Sequence, residues 1–274
     1  MTAHDGAASH THHALRRRDV LRVAGVCVAG LAADAACSSQ PSTVAAHDAR
    51  SFASGDGSAA PSTPEPQPAP SHLALPPEVR HGPRDRPGVA LTFHGQGTTG
   101  QVNDLLLALE HGGAHGTILA VGTWLQSEPT FGRRILDGGH ELGNHTMHHL
   151  ALTSMSKSAV TAEISGCADV LRRLVGTIGT WFRPSQTQFA TPVIHDAAVA
   201  VGYRATLSYD VDSLDYTDPG ATAITRNVLR QVQRGSIISL HAGHPGTVVA
   251  MPALLAGLRA HGLRPMTMTA LMTQ

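Results

Sequence analysis

The chain has 274 residues, enough for one or two domains. Twenty acidic side chains cancel twenty basic ones, which excludes the polycationic signature of a nucleic-acid binder. No apolar run is long and uncharged enough for a polytopic membrane protein, and three cysteines cannot build a disulfide framework.

The first segment has the order of an export address. Arg16-Arg17-Arg18-Asp19-Val20-Leu21-Arg22 is followed by an apolar stretch, Val23 to Leu31, and then by Ala32-Ala33-Asp34-Ala35-Ala36-Cys37. A charged region, a short apolar region and small residues predict a signal peptide over 1–36, and Arg17-Arg18-Asp19-Val20-Leu21-Arg22 resembles the twin-arginine pattern. Ala35-Ala36-Cys37 before Ser38-Ser39 resembles a lipobox with Cys37 as the lipidated residue, although Asp34 stands where that pattern has Leu. Ala33-Asp34-Ala35 equally suits ordinary signal-peptidase cleavage. Residues 37–86 are rich in Ser, Ala and Pro, as in "PSTPEPQPAP" at 61–70, and predict a disordered tether. The expected protein is exported and extracytoplasmic, touching a membrane only through the signal peptide or a lipid at Cys37.

From residue 87 the texture changes. Val89–Phe93 predicts a buried strand, Asp104–Leu109 a helix stopped by Gly112-Gly113, and Thr117–Val121 the next strand. Phe131–Leu136 predicts a helix, and Lys157–Val175 a long one. Short strands are expected at Trp181-Phe182, Ala205–Leu207 and Ile237–Leu240, with helices at Pro192–Val201, Ala221–Gln233 and Val248–His261. Strands interleaved with helices predict a parallel α/β architecture in one domain over 87–274, short for an eight-fold barrel. Polar residues then gather at the predicted carboxyl ends of strands: His94, Arg183 and His241 directly, Asp210, Asp212 and Asp215 after Leu207, and His145 and His149 after Leu142. Parallel β/α folds build their sites on that face, so the pattern points to an enzyme.

Three motifs carry less than they promise. Gly95-Gln96-Gly97-Thr98-Thr99-Gly100 fits G-x-G-x-x-G, but Ala120, Val121 and Gly122 stand where a ribose-binding acid belongs. Ser154-Met155-Ser156-Lys157 fits S-x-x-K, but Lys157 is the only lysine, so no K-T-G partner exists. His145 and His149 have the spacing that sets two imidazoles on one side of a helical turn, as do His111 and His115, and among eighteen histidines that spacing alone proves nothing.

Context separates the first pair. Gly139-His140-Glu141-Leu142-Gly143-Asn144-His145-Thr146-Met147-His148-His149 resembles the metal-binding block of the polysaccharide deacetylases, carbohydrate esterase family 4. Phe182-Arg183-Pro184, Asp212-Ser213-Leu214-Asp215-Tyr216 and Gly235–His241 resemble later motifs of that family in the same order. The resemblance implies a distorted parallel (β/α) barrel with fewer than eight strands. It also implies a hydrolase that uses a divalent metal ion, zinc before others, to remove acetyl groups from an N-acetylated polysaccharide or oligosaccharide. His145 and His149 are then metal ligands and His241 the general acid, oriented by Asp212. Arg183 fixes the first-motif loop, and Leu240 and Tyr216 form the acetyl pocket. Two departures stand out. The family's T-F-D-D-G reads Thr92-Phe93-His94-Gly95-Gln96, so both aspartates are missing, and its R-x-P-Y reads Arg183-Pro184-Ser185-Gln186. His94 is then either the third metal ligand or a replacement base, and a catalytically degenerate member that binds glycan without hydrolysing it is the alternative.

Overall fold

The computed structural model describes residues 75–274. The expected signal peptide over 1–36, Cys37 and the linker as far as residue 74 lie outside the described residues. The remainder of the expected linker does not behave as a tether. Strand β1 (Glu78–Val79) pairs in parallel with β5 (Thr206–Leu207). Val79 is buried, and Arg84 donates to the Arg234 carbonyl and to Asp210 Oδ2, both at 2.7 Å. Asp210 Oδ1 in turn accepts the Ile237 N–H at 2.7 Å. The folded unit therefore includes residues 75–86 and does not start at 87; the Pro-rich composition upstream concealed two short pairing residues.

The other expected elements appear in order, except that Trp181-Phe182 supplies only isolated single-residue bridges, and short elements at 122–127, 141–144, 211–212, 264–266 and 268–273 were not expected. Strand β2 (Gly88–Gly95) precedes α1 (Thr99–His111), β3 (Thr117–Ala120), α2 (Gly122–Ser127), α3 (Thr130–Asp137) and β4 (Glu141–Asn144). Then come α4 (Lys157–Val175), α5 (Pro192–Val201), β5, β6 (Val211–Asp212) and α6 (Ala221–Leu229). Strand β7 (Ile237–His241), α7 (Pro245–Ala260), β8 (Arg264–Met266) and α8 (Met268–Thr273) complete the domain. Helix ends follow local chemistry. Thr98 and Gln101 form a capping box at α1, Ser156 caps α4, and Gly176 ends α4 in the left-handed region at φ 82°. Pro245 starts α7 three residues earlier than expected, because a proline fits the first helical turn.

All strand pairs are parallel. Five strands lie in one hydrogen-bonded path, β4-β3-β2-β7-β6, with β8 beside β2. Single-residue bridges from Phe182 to Asn144 and to Thr206 join the β4 edge to β5. This is the parallel β/α wall the sequence implied, with fewer than eight strands in its path. Its two faces are chemically distinct. Val89, Leu91 and Phe93 of β2, Ile118 and Ala120 of β3, and Ile238 and Leu240 of β7 join the core under the helices. Ala90, Leu119 and Ile237 join the inner cluster with Trp181 and Leu207. The period of two therefore turns His94 and His241 to the inner side at the carboxyl ends of β2 and β7. Strand β4 was not expected, since Glu141-Leu142-Gly143-Asn144 has no β-branched residue. Its pairing with β3 makes it a strand, and a Cβ on Gly143 would meet the Trp181 carbonyl oxygen at 2.7 Å.

A chain cut to begin at 87 is expected to melt below one cut at 75. Losing Val79 burial and the Arg84–Asp210 pair removes about 3 kcal/mol, or roughly 6–12 °C for a domain of this size. Coincident melting curves would show that residues 75–86 add nothing.

Candidate active site

The β2–β7 register sets His94 opposite His241, and β4 runs out at Asn144 to deliver His145. Ring centroids lie 4.2 Å apart for His94 and His241, 4.4 Å for His94 and His145, and 4.9 Å for His145 and His149. One ligand nitrogen from each of His94, His145 and His149 falls within 4.8 Å of the others. The structure thus brings His94 into one cluster with the predicted metal pair.

His145 and His149 do not share a helical turn. They sit on a loop in which Thr146 (φ 71°) and His149 (φ 57°) are left-handed. Such residues cost about 1–3 kcal/mol each and persist where neighbours over-determine them. Here Asn144 Oδ1 accepts the Thr146 N–H at 2.8 Å, and Thr146 Oγ1 accepts the His149 N–H at 3.2 Å. The Gly122 and Thr123 N–H groups donate to the Thr146 and Met147 carbonyls, each at 2.9 Å. Gln186, itself left-handed at φ 53°, donates its side-chain N–H to the His149 carbonyl at 2.7 Å.

The cluster favours neutral rings. Burial, then the neighbouring imidazoles His145 and His241 and the Arg183 guanidinium, hold His94 well below the usual histidine value. Burial and then His149 do the same to His145, and burial with His241 lowers His149. His145 Nδ1 lies 2.9 Å from the Arg183 carbonyl oxygen and donates to it, which leaves Nε2 as the bare acceptor nitrogen. That Nε2 is buried and has no hydrogen-bond partner. A buried orphan acceptor beside two more imidazole nitrogens fits a divalent cation, and three histidines are a familiar ligand set for catalytic zinc.

Arg183 is fully buried and finds carbonyls in place of a carboxylate. Nη2 donates to the Ser208 oxygen at 3.0 Å, Nε to the Leu207 oxygen at 3.3 Å, and Nη1 lies 3.4 Å from His94 Nε2. Burial pushes the guanidinium down to about 9, still protonated at neutral pH. Gly95, where the family has an aspartate, has no room for a side chain: a Cβ would lie 2.8 Å from Ile118 Cγ2 and 2.9 Å from the Leu119 oxygen.

Two expectations are corrected. The carboxylate on His241 is Asp215, not Asp212. Asp215 Oδ1 lies 2.7 Å from His241 Nδ1, and Oδ2 accepts the His241 N–H at 2.7 Å and the Thr247 hydroxyl at 2.6 Å. Burial raises the Asp215 carboxyl, but the His241 hydrogen bond and charge outweigh it and hold the group below the ordinary aspartate value. Asp212 instead accepts the Leu214 N–H at 2.9 Å and shapes the turn before Asp215. Leu240 does not reach the site either; it faces the helix layer, while Ser239 turns inward with its Oγ 3.1 Å from His94 Nε2. Tyr216 lies half-exposed on the rim with its ring 5.6 Å from His241. An open cleft of about 870 Å³ runs over His94, His149, His241 and Tyr216 toward Trp124 and Gln101.

The rings bind protons more readily once unfolded, so stability of the metal-free chain falls as pH drops below about 6.5 toward the lower folded values. The thermal midpoint is expected to decline steadily from pH 7 to 5, and less steeply in His145→Asn. Equal slopes in the two proteins would show that His145 is not held neutral.

The sequence profile described as polysaccharide deacetylase matches residues 81–206. A peptidoglycan-N-acetylglucosamine deacetylase of Bacillus cereus is 30% identical over 178 residues, covering 64% of this chain and 81% of that protein. A solved structure of a peptidoglycan N-acetylglucosamine deacetylase bound to an N-oxidanyl-benzamide superposes with a TM-score of 0.67 at 25% identity, covering 72% of this chain and 94% of that one. A CE4 family pseudoenzyme from Bacillus anthracis superposes with a TM-score of 0.68 at 21% identity over 72% of this chain and 69% of that one, a likeness of fold alone. With the histidine block, the strand-end cluster and the parallel wall already in place, the chain belongs to the polysaccharide deacetylase family.

Proposed function

We propose that this protein is an exported, metal-dependent hydrolase that removes acetyl groups from an N-acetylated glycan. The observations that carry the reading are the convergence of one ligand nitrogen each from His94, His145 and His149 within 4.8 Å and the bare, buried Nε2 of His145, next to the Asp215-held His241. Relatives that act on peptidoglycan and on chitooligosaccharides support the substrate class. Export rests on the arginine-led segment at 16–37, which also leaves Cys37 as a candidate lipid anchor.

His94, His145 and His149 would hold a divalent cation, with zinc favoured by an all-imidazole donor set. When bound, such an ion supplies Lewis acidity toward the acetyl carbonyl and lowers the pKa of water. The chain's own residues supply the rest. His241 donates its Nδ1 proton to Asp215, so its Nε2 is the ring atom free for the substrate. His241 Nε2 then gives a proton to the departing amine nitrogen. The balance is that of amide hydrolysis: the water oxygen bonds to the acetyl carbon, the carbon–nitrogen bond breaks as the nitrogen takes the His241 proton, the proton released by the water restores His241, acetate leaves and the sugar keeps an amine. Asp215 fixes the tautomer and orientation of His241, the Arg183 carbonyl does the same for His145, and Tyr216 walls the acyl side of the cleft.

A second reading, glycan binding without turnover, has one observation in its favour. Gly95 cannot carry the family's second aspartate without displacing β3, so the missing carboxylate is built into the fold. Metal analysis together with acetate release from N-acetylglucosamine oligomers separates the two readings. His145→Ala and His149→Ala are expected to abolish metal uptake, whereas His241→Ala keeps the metal and loses about 10²–10⁴-fold in turnover. Full activity in His241→Ala removes the proposed acid, and tight metal with no acetate release by the parent chain establishes the second reading.

A further inference from the structure

We infer that Glu163 is a positioning residue for the metal centre, locking the His145–His149 loop so that its two imidazoles converge; the inference rests on the metal-site reading above. Glu163 lies in the second turn of α4, and its side chain is 8% exposed. A carboxylate buried this deeply is costly unless its lone pairs are used. Both oxygens are used by one segment. Oε2 accepts the His148 N–H at 2.8 Å, and Oε1 lies 2.7 Å from His148 Nδ1, which donates to it. The Glu163 backbone carbonyl accepts the Met147 N–H at 2.9 Å. One residue therefore holds two consecutive loop positions by three bonds, between the two predicted ligands.

The loop needs such a clamp. Left-handed Thr146 and His149 flank the pinned residues, so without an external hold the chain would relax there and swing the His149 ring away. The neighbouring turns of α4 complete the shelf. The Ile164 carbonyl accepts the Asn144 side-chain N–H at 2.9 Å, and a Cβ on Gly166 would already lie 3.3 Å from Met147 Cγ. His148, half-exposed, faces away from the cluster. Its ring ties the loop to Glu163, which accounts for one of the two histidines in the block that the ligand set does not use.

The test uses zinc as the probe on the purified metal-stripped full chain, with affinity read by competition against a chromogenic chelator. Glu163→Gln, which keeps the shape and loses one acceptor and the charge, is expected to weaken zinc binding about tenfold. His148→Ala removes the ring contact from an exposed position and is expected to weaken it severalfold even if Glu163→Gln folds poorly. In both variants, activity at limiting zinc should recover when zinc is raised. Circular dichroism and the metal-free thermal midpoint report folding separately. Parent-like zinc affinity in both variants overturns the inference, as does a lowered thermal midpoint with unchanged affinity, which is what a merely structural residue gives. A parent chain that takes up no zinc overturns the metal-site reading and this inference together.

Discussion

Four imidazoles meeting at the carboxyl ends of β2, β4 and β7 cannot all carry charge. At a separation near 4.4 Å, two imidazolium rings repel by about 4 kcal/mol at an effective dielectric of about 20, and the buried Arg183 adds to the field. The inner three rings are therefore held toward the neutral form. The family's usual solution mixes carboxylates with histidines. Here the carboxylates are gone, and the replacement is an uncharged donor set beside a guanidinium. A divalent ion held by such a set would keep its full charge. The rest of the architecture exists to keep the rings together: parallel register sets His94 against His241, β4 delivers His145, and α4 holds the loop that carries His149.

The one carboxylate retained at the centre is placed with care. Asp215 is fully buried and receives three bonds, from the His241 ring, the His241 backbone and Thr247 of α7. Leu214, left-handed at φ 56°, turns the chain so that Asp215 points inward while Asp212 closes the turn from outside. His241 thus belongs to β7 and Asp215 to the segment before α6, whereas His94 belongs to β2 and His145 and His149 to the loop after β4.

Much of this was legible in the sequence. The apolar runs at 89–93, 117–121 and 237–240 gave the strands, and the helices expected at 157–175 and 192–201 match α4 and α5 at their observed ends. The histidines were legible as a site because they fall where parallel strands end. What was missed has physical causes. Counting by twos back from His241 would have turned Ser239 inward and Leu240 outward, but the resemblance placed Leu240 in the pocket before the strand period was applied. Asp215 against Asp212 depends on one left-handed residue, which Leu214 does not advertise. The loop at 145–149 has helical spacing without helical backbone, because strain there is held by tertiary bonds from Asn144, Gln186 and Glu163. Residues 75–86 look like linker because the bonds that tie them to the rest of the domain, among them Arg84 to Asp210 and Glu78 to the Ala190 N–H, run to partners over a hundred residues away.

X-ray absorption at the zinc edge tests the central claim most directly, since outer-shell scattering counts coordinated imidazoles. The account predicts three imidazoles in the zinc-loaded parent chain and two in His94→Ala. Two imidazoles in both proteins would contradict it, leaving His94 outside the coordination sphere.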